Sequence, residues 1–236
     1  YQNKGDFKKA ASYFFKALDI FEKENHQDKA AIVLSNLGVL YGEQKMYQLA
    51  LKYHNQALST RLKSDKTEEI GMSYLNIGAI YGEMQDFDLS VDYYEKSFSY
   101  FKQANYAAGL GNYYMNMGHV SNLKENFEES LDYYLEGIEY FKKTDDIRNI
   151  TIAEINIGSN YNQLGERELA LMYLVDGYER AKRLEIERTT ALGAKELYKI
   201  YKNDKDYARA LQFLEEFNTL NDSLNSSENK EATINL

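Results

Sequence analysis

The chain has 236 residues, 28 Lys and Arg against 37 Asp and Glu, a formal charge of −9, and no Pro, Cys or Trp beside 22 Tyr and 11 Phe. This acidic balance argues against nucleic acid as a partner, and the lack of Cys excludes disulfides, thiol catalysis and Cys-based metal sites. No apolar run reaches the roughly 18 residues of a membrane span, and with no Pro and only 14 Gly the composition favours long helices.

The opening stretch, "YQNKGDFKKA", lacks an initiator Met and reads as an excised piece, from which upstream targeting segments could have been removed. The first predicted element is an unpaired helix over 7–24, a helix B in the scheme that follows. After it the chain repeats every 40 residues. Phe7, Tyr47, Phe87, Phe127 and Tyr207 occupy one position of that grid, which Arg167 alone breaks. Small residues hold another: Ala10, Ala50, Ser90, Ser130, Ala170 and Ala210. They allow neighbouring helix axes to approach closely. Within each unit the apolar spacing is i, i+3, i+4, i+7, as in Leu34, Leu37, Gly38 and Tyr41.

Each unit is therefore a helix A, a short polar turn and a helix B. The A helices are predicted at 28–44, 67–84, 107–124, 147–164 and 187–203. The later B helices fall at 47–63, 87–103, 127–143, 167–184 and 206–222. The expectation is an all-α solenoid, an α-α superhelix of about 11 helices over 1–222, with repeats at 28–63, 67–103, 107–143, 147–184 and 187–222. Residues 223–236 read as a polar tail, the start of a connector.

The residues now carry a resemblance. "LGVLYGEQKMYQLALKYHNQAL" (37–58) resembles the tetratricopeptide repeat, although the unit has 40 residues where that family usually has 34 and lacks its closing Pro. The stretch "KELYKIYKNDKDYARALQFLEEFNTLNDSL" (195–224) is similar to the last repeat of membrane-anchored bacterial signalling proteins, whose output is a histidine kinase or a DNA-binding regulator. That resemblance implies a sensing or interaction module lying outside the cytoplasmic membrane. A cytoplasmic regulator that binds a partner protein and a structural spacer or homodimerisation module remain open alternatives.

One position is not explained by packing. Asn36, Asn76, Asn116 and Asn156 recur on the same grid. At about 100° per residue each falls roughly 150° from the centre of its helix's apolar arc. In the resembled family this side of helix A lines a concave groove. The same side carries Ile32, Val39, Met72, Met115, His119 and Ile152, almost without charge. An amide offers donors and an acceptor together and can hold a peptide unit without reading its side chain. The groove is therefore expected to take a peptide or protein segment. The competing reading has these amides bonding across the seam between repeats and setting its pitch. The fifth unit replaces the stripe with Lys195, Glu196, Lys199 and Lys202, read as either a solvated cap or a charged groove end.

Catalytic groups are not apparent. Of the three His, His26 falls in a turn and His54 stands where other units have Tyr94 and Tyr134, an aromatic substitute in the packing. No two His share the i, i+4 spacing of a metal site. No enzyme activity, cofactor or metal is expected.

Overall fold

The computed structural model describes the backbone of residues 4–64 and 66–232, and side chains over 7–64 and 66–224. Among the described residues there are eleven helices and no strand: α1 (Lys4–Lys23), α2 (Gln27–Glu43), α3 (Tyr47–Arg61), α4 (Thr67–Glu83), α5 (Phe87–Gln103), α6 (Ala107–Leu123), α7 (Phe127–Lys142), α8 (Ile147–Gln163), α9 (Arg167–Arg183), α10 (Glu187–Asn203) and α11 (Tyr207–Ala232). The all-α, repeat-built fold class is as expected. The last helix differs. It runs through residues 223–232, where a polar tail was expected, because "NSSENKEA" has no Gly or Pro to stop a helix and ends in good helix formers. Residues 233–236 of the expected tail lie outside the described residues.

Backbone contacts divide the chain into two compact units, Tyr1–Asn116 and Met117–Leu236. In the first, α1 packs on α2, α2 on α3, α3 on α4 and α4 on α5. Its core gathers Leu51, Leu58, Ile70, Ile77 and Ile80. In the second, α7 to α11 pack in the same serial manner around Ile155, Leu174, Tyr178, Leu197 and Tyr201.

The recurring Gly of helix A fits the helices together. A Cβ on Gly78 would lie 2.7 Å from the ring of Tyr94, and one on Gly118 would lie 2.7 Å from the ring of Tyr134. Tyr94 and Tyr134 are only 3% and 1% exposed, so these rings have no room to retreat. Ser90 and Ser130, on the small-residue position, donate their Oγ to the carbonyls of Gly78 (2.9 Å) and Gly118 (2.7 Å).

How a chain without Pro ends so many helices is visible in the turns. After α2 the amide of Lys45 donates to the carbonyl of Gly42 (2.8 Å), and that of Met46 donates to Tyr41 (2.9 Å). This paired pattern closes a helix with one left-handed residue. It returns at Gln85, Glu125, Gly165 and Lys205 along the 40-residue grid, and only Gly165 is glycine there. A left-handed L-residue costs about 1–2 kcal/mol that glycine does not. Gln85→Gly (φ 62°) is therefore expected to raise stability by about 0.5–1 kcal/mol after glycine's own entropy loss. Thermal unfolding of the variant checks this: an unchanged or lower midpoint would contradict it.

Candidate functional site

Helix α2 buries Ala30, Ala31, Val33, Leu34, Leu37 and Gly38 and leaves Ile32, Asn36 and Val39 exposed. Helix α4 repeats the division, with Ile70, Leu75, Ile77 and Ile80 buried and Met72 and Asn76 half-buried. The helical period thus sets a row of amides and aliphatics beside the core rather than in it. Ile32, Asn36, Met72 and Asn76 come together at one open cavity of about 290 Å³. Val39 is not among its lining residues, nor are Met115 and Asn116, which are half-buried on α6. In the second unit Ile152 and Asn156 are half-buried on α8, and His119 is exposed on α6.

The side chains of Asn36, Asn76, Asn116 and Asn156 have no hydrogen-bond partner among the described residues. The seam is fastened by other amides. Asn160 is fully buried where the grid otherwise carries Ile80, Val120 and Ile200. Its Nδ2 donates to Ser130 Oγ (2.7 Å), and its Oδ1 accepts from Asn122 Nδ2. Two residues on, Asn162 Nδ2 donates to Glu196 (2.9 Å). Glu196 occupies the ladder's position in the fifth repeat. It is 2% exposed and also accepts from Lys199 Nζ (2.6 Å), so at this position the solvated cap is corrected to a buried, bonded carboxylate.

The cavity's floor holds a residue that the pattern reading overlooked. Arg61, at the end of α3, stands where other units have Phe21, Phe101, Phe141 and Ala181. That substitution on the grid was the available signal. Arg61 is 8% exposed, and its Nη1 donates to Ser73 Oγ (2.7 Å). Its buried Nε has no hydrogen bond, since Glu69 Oε2 is 3.9 Å away. Ser35 Oγ, on the same cavity, is buried and unpartnered too. Burial pulls the guanidinium pKa below its ordinary value, and Glu69 opposes that pull.

His54 lies as expected among the packed residues, 1% exposed with its ring against Gly38. Among the described residues no group of three or more His, Asp or Glu is placed to hold a metal ion. No helix among them is long and apolar enough to cross a membrane.

No curated protein matches the chain. Among solved structures, BtubC from P. vanneervenii superposes with a TM-score of 0.75 at 14% identity, over 93% of this chain and 92% of that one. Aspartyl phosphate phosphatase F from Bacillus subtilis gives 0.71 at 13%, covering 90% of this chain and 65% of its own. The Rap conjugation gene regulator of plasmid pLS20, solved in complex with the Phr* peptide, gives 0.66 at 18%, over 85% of this chain and 57% of that one. At such identities the likeness speaks for the fold. The family description of the tetratricopeptide repeat matches residues 1–63 and 69–143, more than half of the chain. With its helix pairs recurring on a 40-residue grid, this chain belongs to the tetratricopeptide repeat family.

Proposed function

We propose that this chain is an interaction module that captures an extended peptide segment along the amide-bearing side of helices α2 and α4, without chemistry of its own. The observation that carries this reading is the unspent hydrogen-bonding capacity of Asn36, Asn76, Asn116 and Asn156, beside seam amides that do bond between helices. A peptide backbone supplies N–H and C=O groups in the pattern an amide side chain satisfies. Within the first unit, packed helices stand roughly 10 Å apart and an extended chain advances about 3.3 Å per residue, so Asn36 and Asn76 would meet a peptide about three residues apart. Ile32 and Met72 would add apolar contact in the first unit. The peptide complex of a structural neighbour supports this use of the fold.

Signal transduction, and a place outside the cytoplasmic membrane, extend the proposal on the strength of the 195–224 resemblance. Protease accessibility of the native protein in intact cells tests that location. For the binding itself, phage-displayed random dodecapeptides are selected on the whole chain. Asn36→Ala with Asn76→Ala is expected to weaken the enriched peptides about thirtyfold, from two lost hydrogen bonds of about 1 kcal/mol each. The thermal midpoint should stay nearly unchanged. Enriched peptides that bind the double variant as well as the parent would end the proposal.

A further inference from the structure

The cavity between α2, α4 and the end of α3 combines three features that packing leaves unexplained. A guanidinium replaces an aromatic of the repeat, it keeps an unbonded Nε–H, and two carboxylates, Glu68 and Glu69, share the cavity with it. A buried donor without an acceptor costs free energy that Phe at this position would not. The cost is intelligible if a bound group supplies the acceptor. At about 290 Å³ the space is at the small end of ligand pockets, suited to one side chain.

The charges select the kind of side chain. A ligand carboxylate would join Glu68 and Glu69 as a third negative group, while a ligand ammonium would face Arg61. A neutral primary carboxamide avoids both conflicts. Its C=O would accept from Arg61 and its NH₂ would donate to Glu69 once that carboxylate has moved outward, because the present 3.9 Å Nε–Oε2 separation is too short to admit an amide between them. Glu69, with a side chain 39% exposed and its Oε1 3.7 Å from Lys66 Nζ, would turn outward toward that ammonium as the amide enters. We infer that this cavity is a specificity pocket for the side chain of Asn or Gln, held between Arg61 and Glu69. Asn36 and Asn76, on the same rim, would grip the backbone on either side. This inference rests on the peptide reading above and names the residue type that the peptide must carry.

The test uses the ¹⁵N-labelled whole chain and follows the Arg61 Nε–Hε resonance. The probes are the N-acetyl, N′-methylamide derivatives of glutamine, glutamate and lysine. The glutamine probe is expected to move the resonance saturably, at least about tenfold more tightly than the other two. Arg61→Phe, which restores the residue type of Phe101 and Phe141, removes the reporter itself, so its binding is read from the backbone amides of Ser35, Asn36 and Met72 on the same cavity; their glutamine-induced shifts should be abolished with no loss in thermal midpoint. Glu69→Gln should let the glutamate probe in, because one repelling charge is gone. That variant keeps the test decisive should Arg61→Phe fold poorly. Glutamate binding the parent chain as tightly as glutamine, or no probe moving the resonance, overturns the pocket. Selected peptides without Asn or Gln would also refute it and leave peptide capture standing. A glutamine response with no peptide enriched would do the reverse.

Discussion

Lowering the pH from about 7 to about 4 is expected to cost the chain on the order of 3 kcal/mol through His54 alone, and His54→Phe should remove that loss. The imidazole is 1% exposed and its pKa is pushed down to about 4 from the ordinary 6.5, first by burial and then by the positive charge of Arg61. The unfolded chain therefore takes up a proton near 6.5 that the folded chain refuses until about 4. Stability contributed by the neutral ring is complete above the unfolded value and falls as pH drops through this window. Acid works against the fold here. Carboxylates titrate over part of the same range, so the readout is the difference in thermal midpoint between parent and variant at each pH. His54→Phe also removes a buried Nδ1 that has no partner, and Gly38 leaves room for a ring as Gly78 does for Tyr94. The variant should thus be no less stable at neutral pH. A parent-minus-variant curve that stays flat between pH 7 and 4 would show that the ring is solvated.

Much of this architecture was legible because it is periodic. Gly38, Gly78 and Gly118 stand above His54, Tyr94 and Tyr134 in one register, so each copy of the pattern corroborates the next. The ladder's side of the helix was legible for the same reason, since Asn36 lies off the apolar arc by angle alone. What stayed hidden falls into two kinds. The left-handed residues at Lys45, Gln85, Glu125 and Lys205 give no sign of themselves, because the helix-closing hydrogen bonds and not the side chains hold them there. Arg61 and Asn160 were hidden differently. Each is a polar residue at a position that its siblings fill with apolar residues, and it reads as an exposed helix residue unless the grid is followed into the core. Whether the ladder amides join the seam also depended on which neighbouring groups lie within reach, a fact of three dimensions. The extra turns of α11 escaped because no apolar stripe marks them.

Asn160→Asp is expected to lower stability by about 4 kcal/mol at pH 7, roughly 10 °C in midpoint for a chain of this size. The count of protons at Ser130 sets this cost. Ser130 has a single hydroxyl proton and gives it to the carbonyl of Gly118 (2.7 Å), so toward Asn160 it can only accept. The amide Nδ2 supplies that donor; a carboxylate oxygen would set lone pair against lone pair at a site with no exposed surface. Asn122 Nδ2 would still serve the other oxygen, but one hydrogen bond does not compensate a buried charge. The new carboxyl should have its folded pKa raised above its unfolded value. Its contribution is then least harmful below the unfolded pKa, and stability is lost as pH rises through the folded one. Both chains keep His54 and weaken through it on acidification, so the rescue is read as a shrinking gap in midpoint between parent and Asn160→Asp as the pH falls. Asn160→Leu, matching the apolar residues of the other repeats, should cost only about 1 kcal/mol with no such pH dependence, because Ser130 keeps its bond to Gly118 and the half-buried Asn122 can turn to water. A midpoint for Asn160→Asp that falls on acidification in step with the parent would mean that the carboxyl is solvated and the seam is open at this point.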